Sequence, residues 1–427
     1  MTPPRTSIKT RRTEALLTAL ASEEAVIAIH GPRSVGKSTV LGRFAESRGV
    51  EVIDLDNVSV REAIRASPSF IYTAEAPVCI DEYQYVPEVL DALKVRMNRD
   101  GVVPGLAVIT GSTRQDSVPR TAQALTGRLH ALSILPLSQG EIEGVKENLI
   151  EALRKDANLA VAAHPSSSTV RDDYAARIAA GGFPLAFRRE TVARDRWFEN
   201  YVRSSIDRDA VELARIGQRQ ALSELLTLSA ARTAQVLNVA NLSSMLELNR
   251  KTTEAYLRLL EDLFLVFRLP AWGKTLNARA TGTPKVHLVD SGLCAWLMRT
   301  GPDKLASLDP TALTEFGHLL ETFVVGELLK QVSWLDESVT VGHWRTSDGD
   351  EVDLVIEFRD GRVLAFEVKT GERASGKDFA GLKKLRDALG ERFVAGVVLG
   401  LGTRSYRYDE ALYVMPVDRI WRHVNLP

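Results

Sequence analysis

The stretch AVIAIHGPRSVGKSTVLGRFAE, residues 25–46, decides the fold of the first third of the chain. Its β-branched run at 26–29 predicts a buried strand, and an amphipathic helix is predicted to follow the glycine-rich segment. That segment has the spacing Gly-x-x-x-x-Gly-Lys-Ser, which in a strand–loop–helix context is typical of a phosphate-binding loop. Glycines let backbone N–H groups approach phosphate oxygens, and the helix N-terminus adds positive potential. A glycine-rich turn that binds nothing is the alternative, which the spacing and both flanks disfavour.

The loop predicts a site for ATP with Mg²⁺. Lys37 is expected to reach the β- and γ-phosphates, and the hydroxyl of Ser38 is expected to hold the metal ion. The residues expected to contact the nucleotide are Gly31, Pro32, Arg33, Ser34, Val35, Gly36, Lys37, Ser38 and Thr39.

Four more apolar runs, at 51–56, 77–82, 106–114 and 129–138, complete a predicted five-stranded parallel sheet. The run at 77–82 ends in Asp81 and Glu82, and adjacent acids at the carboxyl end of a strand fit the crevice where α/β sheets bind ligands. Asp81 is expected to bind Mg²⁺ through water and Glu82 to polarise the attacking water. Two solvated acids at the end of a strand are the simpler alternative. Ser112, after the next strand, is expected to sense the γ-phosphate.

This order of motifs resembles AAA-type ATPases of the class with an additional catalytic glutamate. Arg128, just before the fifth strand, is interpreted as a finger acting on a neighbouring subunit's nucleotide or as a sensor for its own. A plain surface arginine is equally compatible with the sequence, and Arg114 and Arg120 are weaker candidates for the same role. A finger acting between subunits implies a homo-oligomer, such as a ring.

The middle of the chain is predicted to be mainly helical. Residues 173–220 are interpreted as a lid or bundle beside the nucleotide, and residues 162–173, AAHPSSSTVRDD, are the most linker-like segment. A short helix at about 239–247, a turn, a helix from Arg250 and a strand at 264–269 form a winged-helix pattern. Contacts to nucleic acid would come from Arg250, Lys251 and Thr252. The charge footprint is weak, since residues 222–290 carry eight Lys and Arg against six Asp and Glu.

The segment DEVDLVIEFRDGRVLAFEVKTGE, residues 350–372, predicts a β-hairpin. A two-residue turn at Asp360 and Gly361 would mix the apolar and polar faces. A three-residue loop, 359–361, pairs Leu354 with Phe366 and puts glycine at the loop position that needs a positive φ. Because register follows the apolar face, we expect the three-residue loop.

This register sets Asp353 opposite Glu367, with Lys369 along the same face. Like charges directly opposed on a sheet are unfavourable, so a shielded site needs a shifted pKa, the lysine or a bound cation. The arrangement is the metal constellation of the restriction-endonuclease-like PD-(D/E)xK fold, with Lys369 as its catalytic lysine. Glu321, on an apolar helical stripe, is expected to supply the third carboxylate for Mg²⁺. Glu327 is the other acid of this helix, but it aligns with Phe323 and Lys330, and a simple pair with the lysine is the alternative interpretation of it. A half-exposed hairpin with surface charges is the alternative.

Composition limits the remaining choices. The chain has 427 residues and a net charge of −1, so no global positive field indicates nucleic acid and any such site must be local. Two cysteines give no disulfide framework, which fits a reducing cytoplasm. No apolar run is long enough to cross a membrane, and the basic N-terminus has no apolar core of the signal type.

The whole order resembles a prokaryotic group of AAA-type ATPases that carry a C-terminal restriction-endonuclease-like domain of unknown function. The resemblance rests on GPRSVGKS, VCIDEYQYVPEVLDALK, ITGSTR, LTGRLHALSILPLSQGE, GGFP, PKVHLVDSGL, FGHLLETFVVGELL, DEVDLVIE and FEVKTG. The proline of the PD-(D/E)xK motif is absent, because Val352 precedes Asp353.

The α/β architecture expected from the residues and the resemblance has four parts. They are an AAA-type P-loop ATPase core (12–143), a helical lid or linker region (144–220), a winged helix (221–290) and a PD-(D/E)xK nuclease-like domain (291–427). The function expected is ATP hydrolysis coupled to Mg²⁺-dependent DNA processing. A DNA-binding ATPase with a nuclease-like module that only binds, and a nucleotide-gated switch for protein contacts, remain alternatives.

Overall fold

The computed structural model describes residues 9–112, 125, 127–209, 219–273, 275, 282–346 and 348–425. The chain divides into two compact units. The first comprises Met1–Leu137, Arg203–Gly217 and Asp262–Phe264, and the second comprises Ser138–Val202, Gln218–Glu261 and Leu265–Pro427. The four-part division expected from the sequence stays a prediction, and so does the role of residues 173–220 as a lid.

The first unit alternates strands and helices. Its elements are α1 Thr13–Leu20, β1 Val26–His30, α2 Lys37–Arg48, β2 Val52–Asp54, α3 Val58–Ala66, α4 Phe70–Thr73, β3 Val78–Asp81, α5 Glu88–Asp100, β4 Ala107–Gly111 and β5 Leu129–Ser133. The strands form one parallel sheet in the order β2-β3-β4-β1-β5. The predicted five-stranded parallel sheet is therefore confirmed.

Apolar side chains explain why the sheet lies in the interior of this unit. All five residues of β1 and all five of β4 are buried, as expected for central strands covered on both faces. The helix α5 packs Val89, Leu90 and Leu93 into the same core. The carboxyl ends of β1, β3 and β4 therefore open at one edge of the sheet, and the predicted nucleotide-binding residues follow these strands.

The second unit begins with helices. They are α6 Gln139–Glu143, α7 Leu149–Ala162, α8 Arg171–Ala180, α9 Thr191–Ser204, α10 Arg219–Ala231, α11 Val239–Met245 and α12 Arg250–Asp262. The helices predicted at about 239–247 and from Arg250 are confirmed as α11 and α12, with the turn between them. Ser243 and Thr253 join these two helices through a hydroxyl contact of 3.0 Å.

A small antiparallel sheet accompanies these helices. Its strands are β6 Gln235–Val236, β7 Val266–Leu269 and β8 Lys285–Leu288, in the order β6-β8-β7. The helices α13 Ser291–Leu297, α14 Pro302–Ala306 and α15 Pro310–Val332 follow. In the part of the chain that the structure describes, no helix is long and apolar enough to span a membrane.

The last third of the chain forms a mixed six-stranded sheet. Its elements are β9 Thr340–Arg345, β10 Glu351–Glu357, β11 Val363–Val368, α16 Ala380–Leu389, β12 Phe393–Gly400, β13 Tyr406–Asp409 and β14 Leu412–Pro416. The strand order is β13-β14-β12-β11-β10-β9. Strand β12 runs parallel to both β11 and β14, whereas the other pairs are antiparallel.

The hairpin of β10 and β11 has the predicted register. Leu354 pairs with Phe366 and Ile356 pairs with Leu364. The loop closes with a hydrogen bond of 2.9 Å from the Phe358 N–H to the Arg362 carbonyl, and Gly361 has φ +80°. The three-residue loop is therefore confirmed, and the two-residue alternative is excluded.

The segment predicted to be a linker is instead held in the second unit. The backbone N–H of Ser167 donates to the carbonyl of Thr403 at 2.7 Å. The hydroxyls of Ser167 and Thr169 both donate to the carboxylate of Asp418, at 2.8 and 2.9 Å. The linker interpretation was wrong, because the small polar residues that are typical of linkers here donate hydrogen bonds to the buried carboxylate of Asp418.

A buried carboxyl group near α6 has few partners. Glu147 is 1% exposed, and its Oε1 accepts a hydrogen bond from the Ser138 hydroxyl. Its Oε2 has no hydrogen-bond partner among the described residues, and Gly140 packs so closely that a Cβ there would overlap the carboxyl group. Burial is the largest cause that raises the pKa of Glu147, to about 7.

We expect this carboxyl group to make the second unit less stable as pH rises. The folded pKa lies above the unfolded value, so stability is fully present below about pH 4.5 and is lost as pH rises through about 7. Glu147→Gln should reduce the difference in unfolding free energy between pH 5 and pH 8 by about 1–3 kcal/mol. Urea titrations followed by tryptophan fluorescence measure this, because all six tryptophans lie in the second unit.

The exposed Glu151→Gln variant is the control, and its pH dependence should match that of the wild type. An unchanged pH dependence in Glu147→Gln would show that Glu147 is not the group responsible.

Candidate functional site

The phosphate-binding loop connects β1 to α2. Gly36 is left-handed, with φ +98°, and α2 begins at the next residue, Lys37. Lys37 is buried, and its ammonium donates to the carbonyls of Gly31 and Pro32 at 3.0 and 2.9 Å. These contacts hold the Lys37 ammonium against the backbone of the phosphate-binding loop. From this position it is expected to reach the phosphates of a bound nucleotide.

The loop fits the nucleotide that the sequence predicts. A Cβ on Gly31 would lie 2.1 Å from the carbonyl oxygen of Ile134, so only glycine allows the loop to pack this closely. Ser38 is exposed in the first turn of a twelve-residue helix, where unsatisfied backbone N–H groups attract anions. Bound Mg-ATP would supply the transferable phosphoryl group. Lys37 would balance its charge, and Ser38 with Asp81 would hold the ion.

The acids predicted at the end of β3 are in contact with Thr110 of β4 and with Ser112, which follows that strand. Asp81 is buried and accepts a hydrogen bond from the Thr110 hydroxyl. Glu82, with φ +54°, accepts at its Oε2 from the Ser112 hydroxyl at 3.2 Å and also from the Gln84 amide. The same amide lies 3.1 Å from the Ser112 hydroxyl. The structure thus brings Glu82 and Ser112 together.

Gln84 is a site residue that the sequence analysis did not predict. Its amide orients the carboxylate of Glu82, which is expected to polarise water. Gln84 lies two residues beyond Glu82 in the sequence. Close packing supports the arrangement, because a Cβ on Gly111 would lie 2.8 Å from the Tyr83 ring and 3.2 Å from the Gln84 side chain.

Arg128 lies on the surface of the first unit just before β5. One of its terminal nitrogens donates to the side-chain oxygen of Asn98 at 2.9 Å. Arg114 and Arg120, the weaker candidates for a finger, lie outside the described residues. The role of Arg128 between subunits therefore stays a prediction.

The residues predicted to contact nucleic acid lie in the first turn of α12. Arg250 and Lys251 are exposed, and Thr252 is partly exposed. Asn249 accepts a hydrogen bond from the Thr252 backbone N–H at 2.9 Å and so caps this helix. The three predicted residues are brought together at one helix N-terminus, next to the turn from α11.

The acids of the last third converge from three elements of the second unit. Glu321 comes from α15, Glu351 and Asp353 from β10, and Glu367 from β11. We call these four residues the acidic centre. Continued by one residue, the hairpin register sets Asp353 opposite Glu367, and Asp353 accepts a hydrogen bond from the Val368 N–H at 2.9 Å.

A β-bulge directs Asp353 into the centre. Val352 pairs with Trp344 of β9, but Val355 pairs with Gly342, so the register shifts between them. Asp353 and Leu354 therefore stand against the single residue His343. Bulges re-aim side chains in this way and are frequent next to functional sites.

Lys285 of β8 supplies a cation that the sequence analysis missed. Its ammonium lies 2.6 Å from Glu321 Oε1 and 3.0 Å from Asp353 Oδ1, and it also bonds Glu351. The side chain is only 2% exposed. The sequence did predict that a carboxylate on the apolar stripe of α15 needs a partner, and Lys285 is that partner.

Electrostatics explains why these groups must be paired. Burial raises the pKa of Glu321, and the charge of Asp353 raises it further. Burial likewise raises the pKa of Glu367 to about 8. Burial alone would lower the pKa of Lys285, but the three carboxylates outweigh this effect and raise it.

The remaining predicted residue, Lys369, lies beside Glu367. Its ammonium donates to Glu367 Oε1 at 2.5 Å, while Glu367 Oε2 is buried and has no hydrogen-bond partner among the described residues. Glu327 is not part of the acidic centre, because its Oε1 accepts a hydrogen bond from the Lys330 ammonium at 2.5 Å, which is the simple pairing that the sequence allowed.

As arranged, the acidic centre does not fit a divalent ion. The Lys285 ammonium already contacts Glu321 and Asp353, two of the three carboxylates predicted to bind Mg²⁺. Within the described ranges, no group of three or more His, Cys, Asp or Glu side chains is placed to hold a metal ion.

Three protein families match separate parts of the chain. Residues 23–143 match the AAA domain family, which agrees with the loop, the acids and the parallel sheet described above. Residues 171–304 and 316–420 match two domains of unknown function, DUF8612 and DUF4143. Residues 23–143 therefore form an AAA-type P-loop ATPase domain, and this match supports ATP hydrolysis.

Whole-chain relatives and solved structures add little about function. Uncharacterized proteins Rv2008c of Mycobacterium tuberculosis and Mb2031c of Mycobacterium bovis are each 24% identical over 97% of this chain and 85% of their own length.

Among solved structures, the Walker-type ATPase PABY2304 of Pyrococcus abyssi is similar at 14% identity and a TM-score of 0.42, over 69% of this chain and 97% of that chain. The Thermotoga maritima RuvB Holliday junction branch migration motor is similar at 17% identity and a TM-score of 0.30, over 61% and 90%. TM-scores this low support no functional conclusion.

We predict that two substitutions separate nucleotide binding from turnover. Lys37→Ala should abolish nucleotide binding, because the β- and γ-phosphates lose their cation. Glu82→Gln should bind ATP normally but lower kcat by about 100-fold or more, because the attacking water loses its base. Fluorescent-nucleotide binding and steady-state phosphate release measure the two effects.

Glu88→Gln is the matched control, since Glu88 is an exposed glutamate at the start of α5. It should leave both measurements unchanged. If Glu82→Gln turned ATP over at the wild-type rate, the catalytic role of Glu82 would be wrong.

Proposed function

We propose that this chain is an ATP-hydrolysing, Mg²⁺-dependent switch or motor that acts on DNA. The observation that carries the proposal is the exposed pair Arg250 and Lys251 at the N-terminus of α12. A second helix that follows a short turn, with a small antiparallel sheet beside it, has the element order of a winged helix. In that order the first turn of the second helix faces nucleic acid.

In this proposal the ATPase domain supplies the energy. Mg-ATP is bound by residues 31–39. Glu82 polarises the attacking water, and Ser112 senses the γ-phosphate. Gln84 holds the carboxylate of Glu82 in place until the nucleotide engages Ser112.

The last third of the chain is proposed to bind DNA without cutting it. Lys285 already neutralises two of the predicted metal ligands, which supports binding over cleavage. A Mg²⁺-dependent nuclease is the second candidate. It is favoured by Lys369 beside Glu367 and by the buried, unpartnered Oε2 of Glu367.

We predict that Lys251→Glu weakens DNA binding by about tenfold at moderate salt and lowers the slope of log affinity against log salt by about 1. Losing a phosphate contact causes both effects. Fluorescence anisotropy with single-stranded, duplex and branched DNA at several salt concentrations measures them. Arg258→Glu, at an exposed position further along the same helix, is the matched control and should bind nearly as wild type.

The same mixtures distinguish the two candidates for the last third. DNA binding and DNA-stimulated ATP turnover without cleavage support the proposal. Cleavage that needs Mg²⁺ and disappears in Asp353→Ala would establish the nuclease instead. No binding to any DNA, together with unstimulated turnover, would leave a switch for protein contacts.

Assembly is proposed to complete the ATPase site. If Arg128 reaches a neighbouring subunit's nucleotide, mixing Arg128→Ala subunits with Lys37→Ala subunits should restore turnover above that of either variant alone. In a mixed assembly, some sites combine the intact phosphate-binding loop of an Arg128→Ala subunit with the intact Arg128 of a neighbouring Lys37→Ala subunit. Phosphate release across mixing ratios, with the mass in solution measured in ATP, tests this. A monomeric mass and no rescue would refute it.

A further inference from the structure

We propose that Lys285 is the built-in cation of the acidic centre. Its ammonium holds the position that a divalent ion would take, so the centre binds neither Mg²⁺ nor Mn²⁺ while Lys285 stays in place. This inference concerns ion binding alone, and it does not depend on ATP hydrolysis or DNA binding by the chain.

The contacts of Lys285 are those of a cation ligated by carboxylates. Glu321 and Asp353 lie at 2.6 and 3.0 Å from its nitrogen, and Glu351 is a third partner. A divalent ion bound by the same oxygens would lie about 2.0–2.6 Å from each. An ion at those distances would overlap the Lys285 ammonium, so the ion and the ammonium cannot be bound at the same time.

The backbone of β8 keeps Lys285 from withdrawing easily. Lys285 pairs with Val236 of β6 on one side and with Leu269 of β7 on the other. The carbonyl of the preceding residue, Pro284, accepts a hydrogen bond from the Leu237 N–H at 2.8 Å. The Cα position is thus fixed by both neighbouring strands, and only the side chain is left to move.

Displacing the side chain would also be costly. Lys285 is buried, and an ion that took its carboxylates would leave a buried ammonium without compensation. Breaking a buried pair in this way strongly destabilises a protein, because one charge loses its partner while it stays out of water. Glu321, Glu351, Asp353 and Lys285 therefore form a closed set, in the sense that the lysine satisfies the carboxylates and no further cation is needed.

Glu367 stands apart from this closed set. It bonds Lys369 rather than Lys285, and its second oxygen has no partner among the described residues. One carboxylate with a free oxygen provides fewer ligands than Mg²⁺ needs from protein in the absence of substrate phosphates. The inference thus assigns the centre a structural role rather than one in metal-dependent cleavage.

Titration with Mn²⁺ in the absence of nucleotide tests this directly, with free Mn²⁺ measured by electron paramagnetic resonance. Wild-type protein should show no site at the acidic centre. Lys285→Met should gain one Mn²⁺ site per chain that the wild type lacks. Adding Asp353→Asn to Lys285→Met should abolish the gain, and Lys285→Arg should not gain it.

Lys330→Met is the matched control. Lys330 is also buried and also bonded to a glutamate, Glu327, on its own helix. This variant should gain no Mn²⁺ site. A wild-type site that disappears in Asp353→Asn, or a folded Lys285→Met that gains none, would overturn the proposal.

A second measurement uses only the wild-type chain, in case Lys285→Met does not fold. Reductive methylation of lysines, read by peptide mass spectrometry, should modify Lys285 far more slowly than the exposed Lys304. Millimolar Mg²⁺ should leave that slow rate unchanged. Faster labelling of Lys285 with Mg²⁺ would mean that the ion displaces the lysine, and the proposal would be wrong.

Discussion

The second unit depends on one electrostatic constraint, which is that a carboxylate taken out of water needs a cation or hydrogen-bond donors. Partly buried Glu321 meets it with Lys285, and the buried acids Glu327 and Asp418 meet it with Lys330 and Arg419. The pair of Lys285 and Glu321 joins β8 to α15, whereas the other two pairs lie within one helical segment each. Removing one partner of such a pair is strongly destabilising, because it leaves an uncompensated charge out of water. The second oxygen of Glu327 accepts a hydrogen bond from the Gln139 N–H at 2.7 Å, so α15 is also tied to the start of α6.

Local patterns predicted the fold wherever one face was clearly apolar. The hairpin register followed from the alternation along β10 and β11 and from Gly361, whose positive φ closes the loop. The parallel sheet followed from short β-branched runs, each ending in polar residues at one edge. The linker interpretation failed because composition describes the segment itself, whereas Asp418, which orders it, lies about 250 residues further along the chain.

The candidate sites show the same limit. The residues of the phosphate-binding loop lie within eight positions of one another, and Asp81 and Glu82 are adjacent. Both motifs could therefore be found from the sequence. Lys285 was missed because its carboxylate partners Glu321 and Asp353 are 36 and 68 residues away, and because its own strand, Lys-Val-His-Leu, carries no motif. Gln84 was missed because an amide two residues beyond an acid has no distinctive signal. Sequence patterns thus predicted that Glu321, Asp353, Glu367 and Lys369 gather, but they predicted neither Glu351 nor Lys285.

The bulge in β10 has a consequence for how such a centre is inherited. Because two residues of β10 stand against one of β9, the chain keeps its apolar face toward the core on both sides of Asp353 while the acid itself turns inward. Deleting one residue here would shift the register by one and turn the side chains of one flank to the opposite face, so Asp353 and the core residues Val352 and Val355 could not all keep their places. The centre is therefore encoded by a residue count as much as by residue identity, and relatives with every acid in place but one residue fewer in this strand would lack it.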